Sequence, residues 1–186
     1  MPPRHQNIGA GPFGGRPFLR GTATTDTAVL TEGESVQSLK PSDEARIRRL
    51  FFQAPFICAL EIRLDRLGPG WCETSMHAAA THRQQDGFIH AGVVSTLADH
   101  TGGGAGWTRT VEGQTVLSVE FKISLLRPAR ADRLRCRAEV VRAGRTLIFT
   151  EATVYAGEPG DEKAVARLSQ TLAVVDAAVG AATPIP

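Results

Sequence analysis

The chain lacks any apolar run approaching the ~18–20 residues that span a bilayer. Its N-terminus, rich in Gly, Pro and Thr, has no apolar core of the kind a secretory signal needs, so the cytoplasm is the expected compartment and no membrane partner is expected. Blocks of one charge are missing too. The formal net charge is only +2 and the arginines are scattered, which argues against a nucleic-acid partner. Cysteine is sparse: Cys58, Cys72 and Cys136 lie far apart without C-x-x-C spacing and read as reduced structural thiols. His82, His90 and His100 make no H-x(3)-H pattern, so neither a metal nor a cofactor is expected. No Ser-His-Asp or Cys-His set is evident either.

What is present suits an ordinary soluble domain: 186 residues, 42% hydrophobic and 22% charged. Residues 1–40 hold two Gly/Pro/Phe clusters, Gly11-Pro12-Phe13 and Arg16-Pro17-Phe18, and then a Thr/Ser/Glu-rich stretch without periodicity; they read as an extension. The domain is expected over 41–176, with a short tail over 177–186. A helix should begin at Ser42 as its cap, carry Asp43 and Glu44 in its first turn and Ile47, Leu50 and Phe51 on its apolar face, and stop at Pro55.

Strict alternation from Leu60 to Leu67, the turn Gly68-Pro69-Gly70 and a run from Trp71 to about Ala79 predict two strands. Residues 81–90 read as a loop, and Ala91 to about Trp107 as a long, mostly apolar and therefore buried helix. Further strands are expected over Gln114–Leu126, Leu134–Val141, Thr146–Tyr155 and Lys163–Val175, with a hairpin bend at Ala143-Gly144. This order favours an α+β domain in which an antiparallel sheet of five to six strands wraps one central helix.

The informative stretch runs from Gln84 to Asp99. Backbone N–H groups of Ala91 and Gly92 at the helix start, reinforced by the macrodipole, suit the developing oxyanion of an acyl-transfer intermediate. Asp99 sits within an apolar helix, where a carboxylate is costly unless it is paired, lies in a cleft or serves a reaction. On these residues alone the bland alternatives weigh equally: Asp99 could face a solvated edge, and His90 could be a hydrogen-bonder at the helix entry. Gly102-Gly103-Gly104, one turn on, costs the helix about 1 kcal/mol per glycine relative to Ala and predicts a close approach there.

His90-Ala91-Gly92 with Leu97-Ala98-Asp99 resembles the H-G-G-x(4)-L-A-D signature of PaaI-like hotdog-fold acyl-CoA thioesterases. Leu117-Ser118-Val119-Glu120-Phe121-Lys122, Leu126-Arg127-Pro128-Ala129 and Gly144-Arg145-Thr146-Leu147 follow in the family's order, so the resemblance covers about 45–176. It implies that Asp99 is the catalytic carboxylate, acting as nucleophile or as base on a water, and that the Ala91 N–H polarises the thioester carbonyl. His90 would orient the loop, and Ser118 matches a serine that positions water in some members. Gln84 stands where many relatives have an Asn that helps bind the carbonyl.

Two departures are visible: Ala91 replaces the family's first glycine, which requires a negative φ, and Gln84 lengthens the amide arm by one methylene. For the CoA phosphates the expected groups are the hairpin residues Arg142 and Arg145, then Arg127. Non-catalytic acyl-CoA binding is the main alternative. Hydroxyacyl dehydration is a weaker one, because His90 and Asp99 do not reproduce its typical His and Glu arrangement.

Eight helical residues separate Ala91 from Asp99, about 12 Å along the axis and about 80° around it. One thioester cannot bridge them within a chain. If both act on one substrate, the partner expected is a second copy, in a homodimer or a dimer of dimers with two-fold composite sites.

Overall fold

The computed structural model describes residues 38–177, so most of the expected extension and tail lies outside the described residues. Helix α1 spans Pro41–Phe51. Ser42 is not its cap: Lys40 holds that position without a side-chain bond, and Pro41 starts the helix, where its missing N–H costs nothing. Asp43 and Glu44 do fall in the first turn. The helix ends at Phe51, before the expected stop at Pro55, which instead opens α2 over Pro55–Ala59. The strand expected from Leu60 begins only at Arg63, because Glu61 takes a φ of 53°. Leu60, Ile62 and Leu64 are nevertheless all buried. The alternation marks burial across a segment whose first residues are not a strand.

The remaining elements are β1 (Arg63–Gly68), β2 (Trp71–His77), α3 (Ala91–Trp107), β3 (Gln114–Leu125), β4 (Arg133–Ala143), β5 (Leu147–Ala156) and β6 (Lys163–Asp176). All six strands form one antiparallel sheet in the order β1-β2-β4-β5-β6-β3, with α3 packed across its inner face. This is the hotdog arrangement. The chain leaves β2, passes through α3 and enters the sheet again at the opposite edge, so β3 has β6 on one side and, among the described residues, an open edge on the other.

The core lies between α3 and that inner face. Leu97, Ala98 and Ala105 meet a floor that includes Leu134, Cys136, Ile148, Val154, Leu168 and Leu172, all buried. Each large side chain so removed from water contributes roughly 1.5–3 kcal/mol. The buried hydroxyls of Thr74 and Thr101 satisfy each other at 2.6 Å. α3 is not buried throughout, however: from Thr101 on it is enclosed, whereas Ala91 and Gly92 are exposed and Asp99 is half-buried.

The glycine run does not fray the helix, which continues to Trp107. A Cβ on Gly102 would lie 2.1 Å from the Gln170 side-chain oxygen, so glycine there makes room for a side chain from the sheet. Buried Arg46 closes the helix C-terminus by donating to the carbonyls of Thr110 at 2.8 Å and Trp107 at 3.4 Å. Burial pushes the thiols of Cys72 and Cys136 up, the latter to about 12, so both stay protonated at neutral pH. Cys58, unlike these two, is exposed. No described helix is long and apolar enough to cross a membrane.

Candidate active site

The loop before α3 turns on a bridge between Arg83 and Ile89 and delivers His90 to the N-cap. His90 has extended backbone, and its Nδ1 accepts from the Gly92 N–H at 2.9 Å. That bond takes the proton of the cap onto Nε2 and uses one of the two N–H groups that the sequence assigned to an oxyanion. Gly92 is therefore part of the cap, and a Cβ on it would press the imidazole at 2.9 Å. The neighbouring Ala91 N–H has no acceptor among the described residues. Its φ is not positive, so alanine fits the place of the family's glycine without strain.

Eight residues on, Asp99 faces the outer strands of the sheet. Ser118 on β3 donates its hydroxyl to Asp99 Oδ1 at 2.7 Å. Gln170 on β6 donates its amide N–H to the same oxygen, and to Ser118 Oγ at 2.9 Å. Thr150 on β5 donates to the Gln170 side-chain oxygen at 3.1 Å. Among the described residues Asp99 is thus neither free at a solvated edge nor ion-paired; it is held by neutral donors. Ser118, expected near a water, is bonded to the carboxylate itself. Sequence reasoning passed over Gln170 and Thr150, although both occupy inward-facing positions of alternating strands.

Gln84, His90, Ala91 and Arg127 share a cleft of about 580 Å³, whose apolar lining includes Phe88 and Leu125. The Gln84 side-chain oxygen is turned onto its own loop, where it accepts from the Asp86 N–H. Arg142 lines a different groove, with Phe121, Lys122, Phe149 and Gln170, and Arg145 sits in the β4–β5 turn. The structure thus brings Gln84, His90, Ala91 and Arg127 together, and separately Asp99 and Ser118.

Comparison with known proteins identifies the family. Residues 86–163 match the family model described as the thioesterase superfamily. A crystal structure of a thioesterase family protein from Silicibacter pomeroyi is 40% identical, covers 72% of this chain and 98% of its own, and superposes with a TM-score of 0.70. The proofreading thioesterase EntH of Klebsiella pneumoniae is 32% identical over 99 residues, which make up 53% of this chain and 72% of that protein.

The chain belongs to the thioesterase superfamily. The protein is a thioester hydrolase of hotdog fold, as its resemblance to PaaI-like enzymes implied. Another relative of this thioesterase is the 1,4-dihydroxy-2-naphthoyl-CoA hydrolase of Escherichia coli K12, 32% identical over 76 residues, 41% of this chain and 56% of that one. Thioester hydrolysis needs a donor for the carbonyl oxygen and a base or nucleophile for the carbonyl carbon. Among the described residues are an N–H without an acceptor at the helix start, on Ala91, and a carboxylate held by neutral donors, Asp99. Neither buried cysteine offers a thiolate at neutral pH.

Proposed function

We propose that the protein hydrolyses an acyl-CoA or aryl-CoA thioester to the free acid and CoA, in sites each built from two copies of the chain. The observation that carries this reading is the separation of the two halves. Asp99 is tied to Ser118 and Gln170 beside the open edge strand, while the unpartnered Ala91 N–H belongs to the cleft at the helix start. About 12 Å of helix axis lies between them, too far for one carbonyl group. A two-fold dimer unites Asp99 of one copy with Ala91 of the other, and does so twice. The long edge of β3, unpaired among the described residues, and its exposed Leu117, Val119, Phe121 and Leu125 support self-association, as a dimer or a dimer of dimers.

In such a site the thioester carbonyl accepts from the Ala91 N–H, with the positive end of the helix dipole behind it. His90 fixes the helix start, Gly92 completes that cap, and the Gln84 amide, once released from its contacts with Asp86, adds a second donor. Asp99 acts as base on a water or as the nucleophile. On the base route it takes one proton as the water oxygen bonds to the acyl carbon. The C–S bond then breaks and the thiolate of CoA takes that proton. Arg127 on the cleft and Arg142 and Arg145 on the hairpin are the cations proposed for the phosphates of CoA. The E. coli relative named for a naphthoyl-CoA supports a CoA ester as substrate.

A thiol-release assay over short, long and aromatic CoA thioesters tests the reading, with Asp99→Asn and Asp99→Ala in parallel. Release from part of the panel, lost in both variants, supports it. No release from any member, or unchanged hydrolysis in the variants, overturns it; tight binding without turnover would mark an acyl-CoA-binding protein instead.

A further inference from the structure

Gln170 belongs to β6, whose buried positions over this stretch are otherwise apolar: Val165, Ala166, Leu168 and Leu172. It is only 3% exposed. A buried carboxamide is costly unless its donors and acceptor are all met, and a leucine at this place would fill the same space without that demand. The structure meets every demand. The side-chain oxygen accepts from Thr150, itself 1% exposed, at 3.1 Å. The amide nitrogen donates to Asp99 Oδ1 and, at 2.9 Å, to Ser118 Oγ. The backbone carbonyl of Asp99 lies 3.4 Å from the same nitrogen.

Which end of the carboxamide faces Asp99 is fixed by chemistry. An ionised carboxylate only accepts, so the nitrogen must point to it. The absence of a Cβ at Gly102 leaves room for the group, since a methyl there would lie 2.1 Å from the Gln170 oxygen and 3.0 Å from the Thr150 hydroxyl. Donors from two strands thus converge on one carboxylate oxygen of the central helix, with Thr150 of a third strand behind Gln170. Oδ1 accepts from both Gln170 and Ser118, while Oδ2 has no donor among the described residues.

We infer that Gln170 is a positioning residue for the hydrolytic reaction, and that it assigns the two oxygens of Asp99 different tasks. Oδ1 is the anchored oxygen and Oδ2 the one left for the water or the acyl carbon. Thr150 holds Gln170 in register, and Gly102 supplies the space. This rests on the reading of Asp99 as the reacting carboxylate. It adds a buried residue on the inner face of the sheet that acts through the carboxylate.

The test compares Gln170→Leu, Gln170→Glu and Thr150→Val with the full-length wild type and with Asp99→Asn. Each is assayed for kcat and KM on one CoA thioester and for its thermal midpoint. Misplacing a reacting group by about 1 Å costs on the order of a hundredfold in rate. Gln170→Leu should therefore lose kcat by about that factor while KM stays within about twofold, the signature of an interaction that acts on the reacting group and not on binding. Gln170→Glu keeps the shape and the oxygen facing Thr150 but replaces the donor by an acceptor, so it should be at least as slow. Thr150→Val, which frees only the far end of the carboxamide, should fall between these and wild type, and guards against a misfolded Gln170 variant.

Wild-type kcat in Gln170→Leu or Gln170→Glu, with Asp99→Asn inactive, would overturn the positioning role and leave the hydrolytic reading standing. A loss confined to the thermal midpoint or to KM would do the same. Full activity in Asp99→Asn would remove both.

Discussion

Ser118 and Asp99, 19 positions apart in the chain, meet at 2.7 Å where the open edge strand crosses the central helix. The serine is exposed and the aspartate half-buried, so the bond closes one side of a carboxylate that remains reachable from the other. Ser118→Ala deletes one of the two side-chain donors on Oδ1 and leaves Gln170 in place. We expect kcat to fall about tenfold, against the roughly 10²–10⁴-fold that a general base contributes and that Asp99→Asn removes. Steady-state rates of both variants on one CoA thioester check the order; a Ser118→Ala variant as slow as Asp99→Asn would mean that the serine itself handles the reacting water.

Much of the fold was legible because burial alternates at period two along strands. Leu147–Ala156 and Lys163–Asp176 were read within a residue of their bounds. The same signal misled at Leu60–Ile62, where Leu60 and Ile62 are buried and spaced with Leu64 as in a strand, yet Glu61 at φ 53° turns the backbone between α2 and β1. Periodicity reports which side chains are covered, not which hydrogen bonds the backbone makes. The helix start and Asp99 were visible as a motif. Gln170 was not, because a polar residue in the inward phase of a strand stands out only once its neighbours are known to be buried. That mismatch of phase was the one available signal, and Thr150 between Ile148 and Ala152 carries it as well.

His100 links α3 to the C-terminus of α1: its Nε2 lies 3.0 Å from the Phe51 carbonyl, and its ring packs on Phe51 at 4.2 Å. Burial lowers its affinity for a proton below the ordinary value of 6.5, with the Phe51 carbonyl and Asp99 opposing. The unfolded chain therefore takes up a proton at a pH where the fold keeps His100 neutral. Its contribution to stability is complete above about pH 6.5 and is lost as pH falls through the lowered folded value. Urea midpoints at pH 7.5 and 5.5 should fall in wild type by more than in His100→Phe, which cannot titrate. Equal falls in the two proteins would show that His100 carries none of the acid sensitivity.

Arg127 shares its cleft with Gln84, His90 and Ala91, whereas Arg142 and Arg145 lie on the β4–β5 side of the sheet. If the cleft receives the CoA arm, Arg127→Ala should raise KM several-fold with kcat nearly unchanged, and the penalty should shrink with salt, as expected for an exposed charge on a phosphate. A thioester of N-acetylcysteamine, which has no phosphates, should show no difference between wild type and variant. A reduced kcat on that short substrate would instead tie Arg127 to the chemistry.

Ala91 is the first residue of α3 and follows an extended His90 at φ −61° and ψ 137°. That is the one helical position at which proline is favoured, and the residue before it already has the backbone that proline requires. Ala91→Pro therefore removes the N–H while leaving the helix able to form. Loss of one oxyanion donor costs about 10²–10³-fold in kcat, and the thermal midpoint should move little. The same variant tests the two-copy site. Co-refolded with an equal amount of Asp99→Asn, it forms mixed dimers in which one site carries both lesions and the other carries neither. Random pairing makes half of the dimers mixed, so activity should recover to about a quarter of wild type from two nearly inactive parents. Were each site contained within one chain, every site would keep one lesion and mixing would restore nothing.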